Sequence, residues 1–218
     1  SHVYVDDDPS RTGADEVPIR LVVVDDDGGK GAGQAVTTIT NVAPQVIEVQ
    51  VSDTEENGEV VLRGALEDPG VRDTFTLTVD WGDGDRETID YGAGTKLFEL
   101  SHVYVDDDPS GTPADQYSIA LTVVDDDLGV GETEILTTVT NVAPVLTGLS
   151  GSAPQIGDAR EGDEVRIQGT FEDVGPADTH LVEVDWRDGT VDIVEAADGV
   201  FEAFHVYTEG GVYDVQVI

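Results

Sequence analysis

The chain repeats itself with a period of 100 residues. The decapeptide SHVYVDDDPS at 1–10 recurs unchanged at 101–110. LVVVDDD at 21–27 returns as LTVVDDD at 121–127, and TNVAP at 40–44 returns at 140–144. A third, diverged copy follows: VDWGDG at 79–84 comes back as VDWRDG at 184–189, and HVY at 102–104 as HVY at 205–207. Self-similarity at a fixed period marks an array of like units rather than one large fold. Pro44 and Pro144 cannot donate to a strand ladder, so the TNVAP segments serve as boundaries. Residues 45–144 are then one complete domain. Residues 1–44 are the C-terminal part of another. Residues 145–218 are the N-terminal part of a third, truncated before its last strand. About three strands without a Trp cannot bury a sandwich core. The chain is therefore expected to be an excerpt of something longer, or to have its first half-domain completed by a neighbouring chain.

Each unit reads as all-β. Val dominates the aliphatic residues, and Val favours a pleated, half-buried surface over a helix. No segment carries apolar residues at helical spacing over three turns, whereas 25 Gly and 9 Pro supply turns. In the complete unit, strands are predicted at 45–52, 59–66, 74–81, 86–90, 96–105, 117–124 and 132–140. Phe75, Leu77, Val79 and Trp81 alternate onto one face, and Gly82-Asp83-Gly84-Asp85 turn the chain. About seven strands in about 100 residues, separated by turn signals, indicate an Ig-like β-sandwich.

The formal net charge is −37, from 47 acidic and 10 basic residues. That excess repels nucleic acid and anionic lipid. It also strains a compact fold, unless cations neutralise part of it. Acidic disordered tails share the charge but lack Val-rich alternation. No run of apolar residues is long enough to insert in a membrane. With no Cys, stability rests on core burial or on metal.

Trp81-Gly82-Asp83-Gly84, His102-Val103-Tyr104 and Asn141-Val142-Ala143-Pro144, at these intervals, resemble the PKD domain. The resemblance covers the whole chain as one full and two partial copies. It implies tandem Ig-like (PKD-type) β-sandwich domains of the kind found in bacterial surface proteins and as accessory modules of secreted proteases and chitinases. Such domains act as spacers or binding modules, without catalysis. The third copy departs from the motif in carrying Arg187 where Gly is expected, at a position that often needs a positive φ.

Four aspartate triplets stand out: Asp6-Asp7-Asp8, Asp25-Asp26-Asp27, Asp106-Asp107-Asp108 and Asp125-Asp126-Asp127. One Asp per turn is explained by its own side-chain hydrogen bonds. Three consecutive like charges are not. Ca2+ takes about 6–8 oxygen ligands in irregular geometry and accounts for them. The loop holding Asp68 and Asp73 has a counterpart holding Asp173 and Asp178, with the five-residue spacing kept although Pro and Gly change order. We expect one Ca2+ site from Asp68, Asp73 and Asp125–Asp127 at one pole of the sandwich. A second is expected from Asp106–Asp108 with Asp115 at the other pole, near the interdomain junction, and Asp6–Asp8 with Asp15 repeat it. The third copy, with Thr208-Glu209-Gly210-Gly211 after HVY, is expected to hold no ion in that loop.

Other polar residues read as structural. Asp83 is expected to bond its own turn, and Trp81 and Trp186 to anchor cores. His2, His102 and His205 are expected to make structural hydrogen bonds, and Tyr104 and Tyr207 to act as corner tyrosines. No catalytic residue is expected. The clustered aspartates and the repeat, with the location that the PKD resemblance implies, lead to the expectation of a calcium-rigidified stalk of tandem repeats in a large extracellular protein of the bacterial cell surface. An adhesion module for glycan or protein, or an accessory domain of a secreted hydrolase, is the alternative. The expected partners are adjacent repeats of the same chain, with self-association or an adhesion ligand beyond them.

Overall fold

The computed structural model describes residues 2–7, 10–108, 110–151 and 159–218. Asp8, one of the expected metal ligands, lies outside them. The described residues form strands and no helix. β1 (Ala14–Val24) and β2 (Lys30–Thr40) form an antiparallel hairpin. β3 (Gln45–Gln50), β4 (Thr54–Glu55), β5 (Gly58–Glu67), β6 (Phe75–Asp80) and β7 (Arg86–Tyr91) follow. β8 (Leu97–Tyr104), β9 (Ala114–Asp125) and β10 (Val130–Thr140) come next. β11 (Val145–Gly151), β12 (Glu164–Glu172), β13 (His180–Asp185), β14 (Val191–Ala196), β15 (Val200–Val206) and β16 (Gln216–Val217) complete the order. The seven strands predicted for 45–144 are all present, and β4 is an addition.

The chain divides into two compact units. The first comprises residues up to 54, 59–103 and 116–138. The second comprises 55–58, 104–115 and 139–218. Each unit therefore draws on two consecutive repeats.

In residues 45–144 one sheet has the order β3-β5-β8 and the other β4-β10-β9-β6-β7. Period-two alternation sends Val60 and Leu62 of β5, Phe75, Leu77 and Val79 of β6, and Ile119, Leu121 and Val123 of β9 inward, where all are buried. Trp81, just past β6, is buried with them. Two antiparallel sheets sharing one apolar interior make this an Ig-like β-sandwich. The hairpin β1–β2 repeats the β9 sequence in another setting. Leu21 is 58% exposed where Leu121 is 1%, and Val23 is 73% exposed where Val123 is 0%.

The second unit repeats the plan, with β11-β12-β15 in one sheet and β14-β13-β16 in another. Ile167, Val182, Val184, Trp186, Phe201 and Ala203 form its core. Both tryptophans are core anchors, as the alternation implied.

Candidate metal centres

The triplet at 125–127 sits in the turn from β9 to β10, and its members divide their roles. Asp125 organises the turn. Its Oδ1 accepts from the backbone N–H of Asp127 at 3.0 Å and of Gly129 at 2.6 Å, and its Oδ2 from the Asn41 amide at 2.8 Å. Asp126 Oδ1 accepts from the N–H of Thr74 at 2.8 Å, which ties the turn to the start of β6. Asp127 is buried, and its Oδ1 has no hydrogen-bond partner.

The loop between β5 and β6 meets this turn within the first unit. Asp68, Asp73 and Asp125 bring carboxylate oxygens within 4.8 Å of one another, and so do Asp73, Asp126 and Asp127. Asp73 thus belongs to both trios. Its Oδ2 and that of Asp68 are buried without partners. Gly70 makes room: a Cβ there would overlap Asp73 Oδ2. Asp6 joins from the preceding repeat, its Oδ2 accepting from the Arg72 N–H at 2.9 Å. Asp7 beside it is buried with an unpartnered Oδ2.

The second unit assembles a related cluster. Asp106 Oδ2 accepts from the Ala177 N–H at 2.7 Å, the counterpart of the Asp6–Arg72 bond. Glu56, Asp106 and Asp107 lie within 4.8 Å by their oxygens, as do Asp173, Asp178 and His180 by theirs and a ring nitrogen. Glu56 Oε1 accepts from the Val142 N–H at 2.7 Å in the linker, while its Oε2 is unpartnered. A Cβ at Gly175 would overlap both Glu56 Oε2 and Asp178 Oδ2, so both oxygens lie over this glycine. His180 Nε2 lies 2.7 Å from Asp173 Oδ2.

Electrostatics follow from this burial. Asp73 is pushed up to about 7, by burial first, then by the charges of Asp68 and Asp6, by the hydrogen bond its protonated form makes to Asp68, and by the charge of Asp125. Asp127 is pushed up to about 6 by burial, then by Asp7, Asp126, Asp125 and Asp15. Burial likewise raises Asp7, Asp68, Glu56, Asp107 and Asp178. Two ionised carboxylates within 4.8 Å of each other repel by about 3 kcal/mol or more at an effective dielectric near 20. Protonation of Asp73 near pH 7 relieves part of this repulsion, and raising the pH restores it. A bound divalent cation offsets that repulsion.

The structure regroups the expected ligands. The site expected at one pole of a repeat and the site expected at the other pole of the preceding repeat come together. Asp6 and Asp7 therefore stand with Asp68, Asp73 and Asp125–Asp127, and Asp106 and Asp107 stand with Asp173 and Asp178. Asp15 and Asp115 hold the loop backbone: each Oδ2 accepts from the N–H of Ser10 or Ser110 at 3.1 Å. Asp108 is exposed, its N–H bonded to Asp106 Oδ1 at 3.1 Å. Asp25, Asp26 and Asp27 lie in the exposed β1–β2 turn, and among the described residues they join no cluster. Glu56 and His180 were missed. A signal for Glu56 was present, since it recurs as Glu161 at the 105-residue offset that relates Asp68 to Asp173.

The Trp–turn–His elements are structural in both copies. His102 Nε2 lies 2.6 Å from Asp83 Oδ2, and its ring stacks on Trp81 with centroids 4.7 Å apart. His205 pairs with Asp188 at 2.7 Å and stacks on Trp186 at 4.8 Å. The other oxygen of Asp83 accepts from the Asp85 N–H at 3.0 Å, which is the turn-bonding role expected of it. Tyr207 donates its hydroxyl to the Trp186 carbonyl at 2.9 Å, 21 positions upstream, so it ties its strand end to the Trp turn and not to its own corner as expected.

No protein-family model matches the chain, and no curated protein matches it. Solved structures are similar. The PKD domain of an M14-like peptidase from Thermoplasmatales archaeon SCGC AB-540-F20 is 20% identical, covering 46% of this chain and 99% of its own, with a TM-score of 0.39. A tetra-tandem repeat from the extending region of a large adhesion protein is 19% identical over 86% of this chain, with a TM-score of 0.48. This chain spans 47% of that repeat's length. A two-domain fibronectin type III segment of chicken tenascin is 18% identical over 79% of this chain and 87% of its own, with a TM-score of 0.43.

Proposed function

We propose that this chain is a stretch of calcium-stiffened sandwich repeats serving as a stalk or spacer in a large extracellular protein of the cell surface. One observation carries the reading. Of the buried carboxylate oxygens without a hydrogen-bond partner among the described residues, only Glu87 Oε1 lies outside the two clusters. Asp7, Asp68, Asp73 and Asp127 supply the rest in the first cluster, and Glu56 and Asp107 in the second. A buried charge without a partner is costly, and a hard cation surrounded by oxygens removes that cost.

The mechanism is a staple. Each cluster takes carboxylates from two consecutive repeats, so an ion held there resists bending of the link between them. Asp6 and Asp106 fix the register through backbone N–H groups of the following repeat, and the unpartnered oxygens close on the ion. Adjacent repeats of the same chain are the partners. The burial of both tryptophans argues against a sugar-binding platform.

The test is a melt of the full chain in chelator and in Ca2+. An ion bound only by the folded state stabilises it by about 2.7 kcal/mol at a hundredfold excess over Kd. Asp73→Asn should remove the first cluster's share of the calcium increment. An identical melt in chelator and in calcium would falsify the proposal.

A further inference from the structure

The two clusters differ in one donor. The offset that relates Asp68 and Asp73 to Asp173 and Asp178 relates Phe75, the first residue of β6, to His180, the first residue of β13. The first cluster offers carboxylate oxygens, whereas the second adds an imidazole. Asp173, Asp178 and His180 each place one donor atom within 4.8 Å of the other two. Glu56 Oε2 borders this grouping at Asp178: it has no partner, its residue is 3% exposed, and both it and Asp178 Oδ2 lie over Gly175. An open cleft lined by Phe171, Asp173, Asp178, His180 and Glu195 gives solvent access on one side.

We propose that Asp173, Asp178 and His180 form a mixed nitrogen–oxygen site for a divalent transition-metal ion such as Zn2+, a preference that the first cluster lacks. Imidazole with carboxylates suits Zn2+, Ni2+ and their neighbours, while Ca2+ is indifferent to nitrogen and takes oxygen. One imidazole and two carboxylates bind such an ion and leave further positions to water or to Glu56. The grouping of Asp83, Asp85 and His102 does not compete. Both of its carboxylates, Asp83 and Asp85, are exposed, whereas all three residues of the Asp173 grouping are partly buried. The assignment rests on reading these carboxylates as a cation site, but it reports nitrogen ligation, which calcium does not produce.

The experiment uses the full chain stripped by chelator and titrated with Zn2+ or with Ca2+. Ring-nitrogen NMR of the wild type should show Zn2+ perturbing His180 and Ca2+ leaving its nitrogens near their metal-free positions. His180→Phe, the residue the first cluster carries, should lower the Zn2+ to Ca2+ affinity ratio by about tenfold or more. His180→Gln keeps a donor for Asp173 without the ring nitrogen and should do the same. A His180→Gln variant that keeps the full ratio would show that His180 only positions Asp173, and would overturn the proposal. So would Zn2+ shifts confined to His102 and His205. Loss of the calcium response with this zinc response intact removes the stalk reading alone. A zinc response indifferent to His180, with calcium still stabilising, removes this one alone.

Discussion

At the residue scale, Gly82 and Arg187 show one backbone requirement met in two ways. Both occupy the same turn after the Trp, with φ of 86° and 64°. An L-residue in the left-handed region costs about 1–2 kcal/mol, and Gly gives part of that back as unfolded-state entropy. Gly82 has a second reason, since a Cβ there would lie 2.7 Å from the Ser118 carbonyl oxygen. The Arg187–Asp185 pair at 3.0 Å is partly exposed and offsets little. Arg187→Gly is expected to stabilise the chain by about 0.5–1 kcal/mol, and Gly82→Ala to destabilise it by about 1–3 kcal/mol. Urea unfolding of both variants checks this. A loss of stability in Arg187→Gly would show that the positive φ at that position carries no strain to relieve.

At the element scale, the turn between β13 and β14 is tied by Asp188. Its carboxylate accepts from the Thr190 hydroxyl at 2.6 Å and N–H at 3.0 Å, and pairs with His205. The Thr190 hydroxyl above all, with His205 and the Thr190 N–H, lowers Asp188 from 3.8 to about 2. A carboxylate lowered in the folded state contributes stability above its unfolded value, and that stability is lost as pH falls through the folded one. Acid unfolding should therefore include a component between about pH 4 and 2 that Asp188→Asn removes. An Asp188→Asn profile parallel to wild type across that window would contradict it. The turn itself was legible as the VDWRDG copy of VDWGDG, although no strands were predicted on either side of it. Asp188 could be read as a turn residue, but its pairing with a histidine 17 positions away came from the fold.

At the whole-molecule scale, a net charge of −37 acts at two ranges. Exposed aspartates repel through solvent, where the Debye length shrinks from about 10 Å at 0.1 M salt to about 3 Å at 1 M. The clustered oxygens are buried, and salt reaches them poorly. Adding NaCl to the chelated protein should raise its Tm gradually. Millimolar Ca2+ should raise it further, by an increment that survives in about 0.5 M NaCl. A calcium increment that vanishes at that salt would mean general screening and no specific site. Thermal melts over a salt series, with and without calcium, read this directly.

The repeat, the all-β class, the strand positions of residues 45–144 and the identity of most clustered carboxylates were legible along the chain. These properties are local: a 100-residue echo, a two-residue alternation and a turn composition can each be read along the chain. Tertiary structure alone decided which carboxylates meet. Asp73 and Asp125 are 52 positions apart, and Glu56 and Asp178 are 122 apart. Their convergence depends on how loops far apart in the chain lie against one another, which no periodicity encodes. Burial was decided there too, since Val23 and Val123 share a sequence context and differ only in what packs over them.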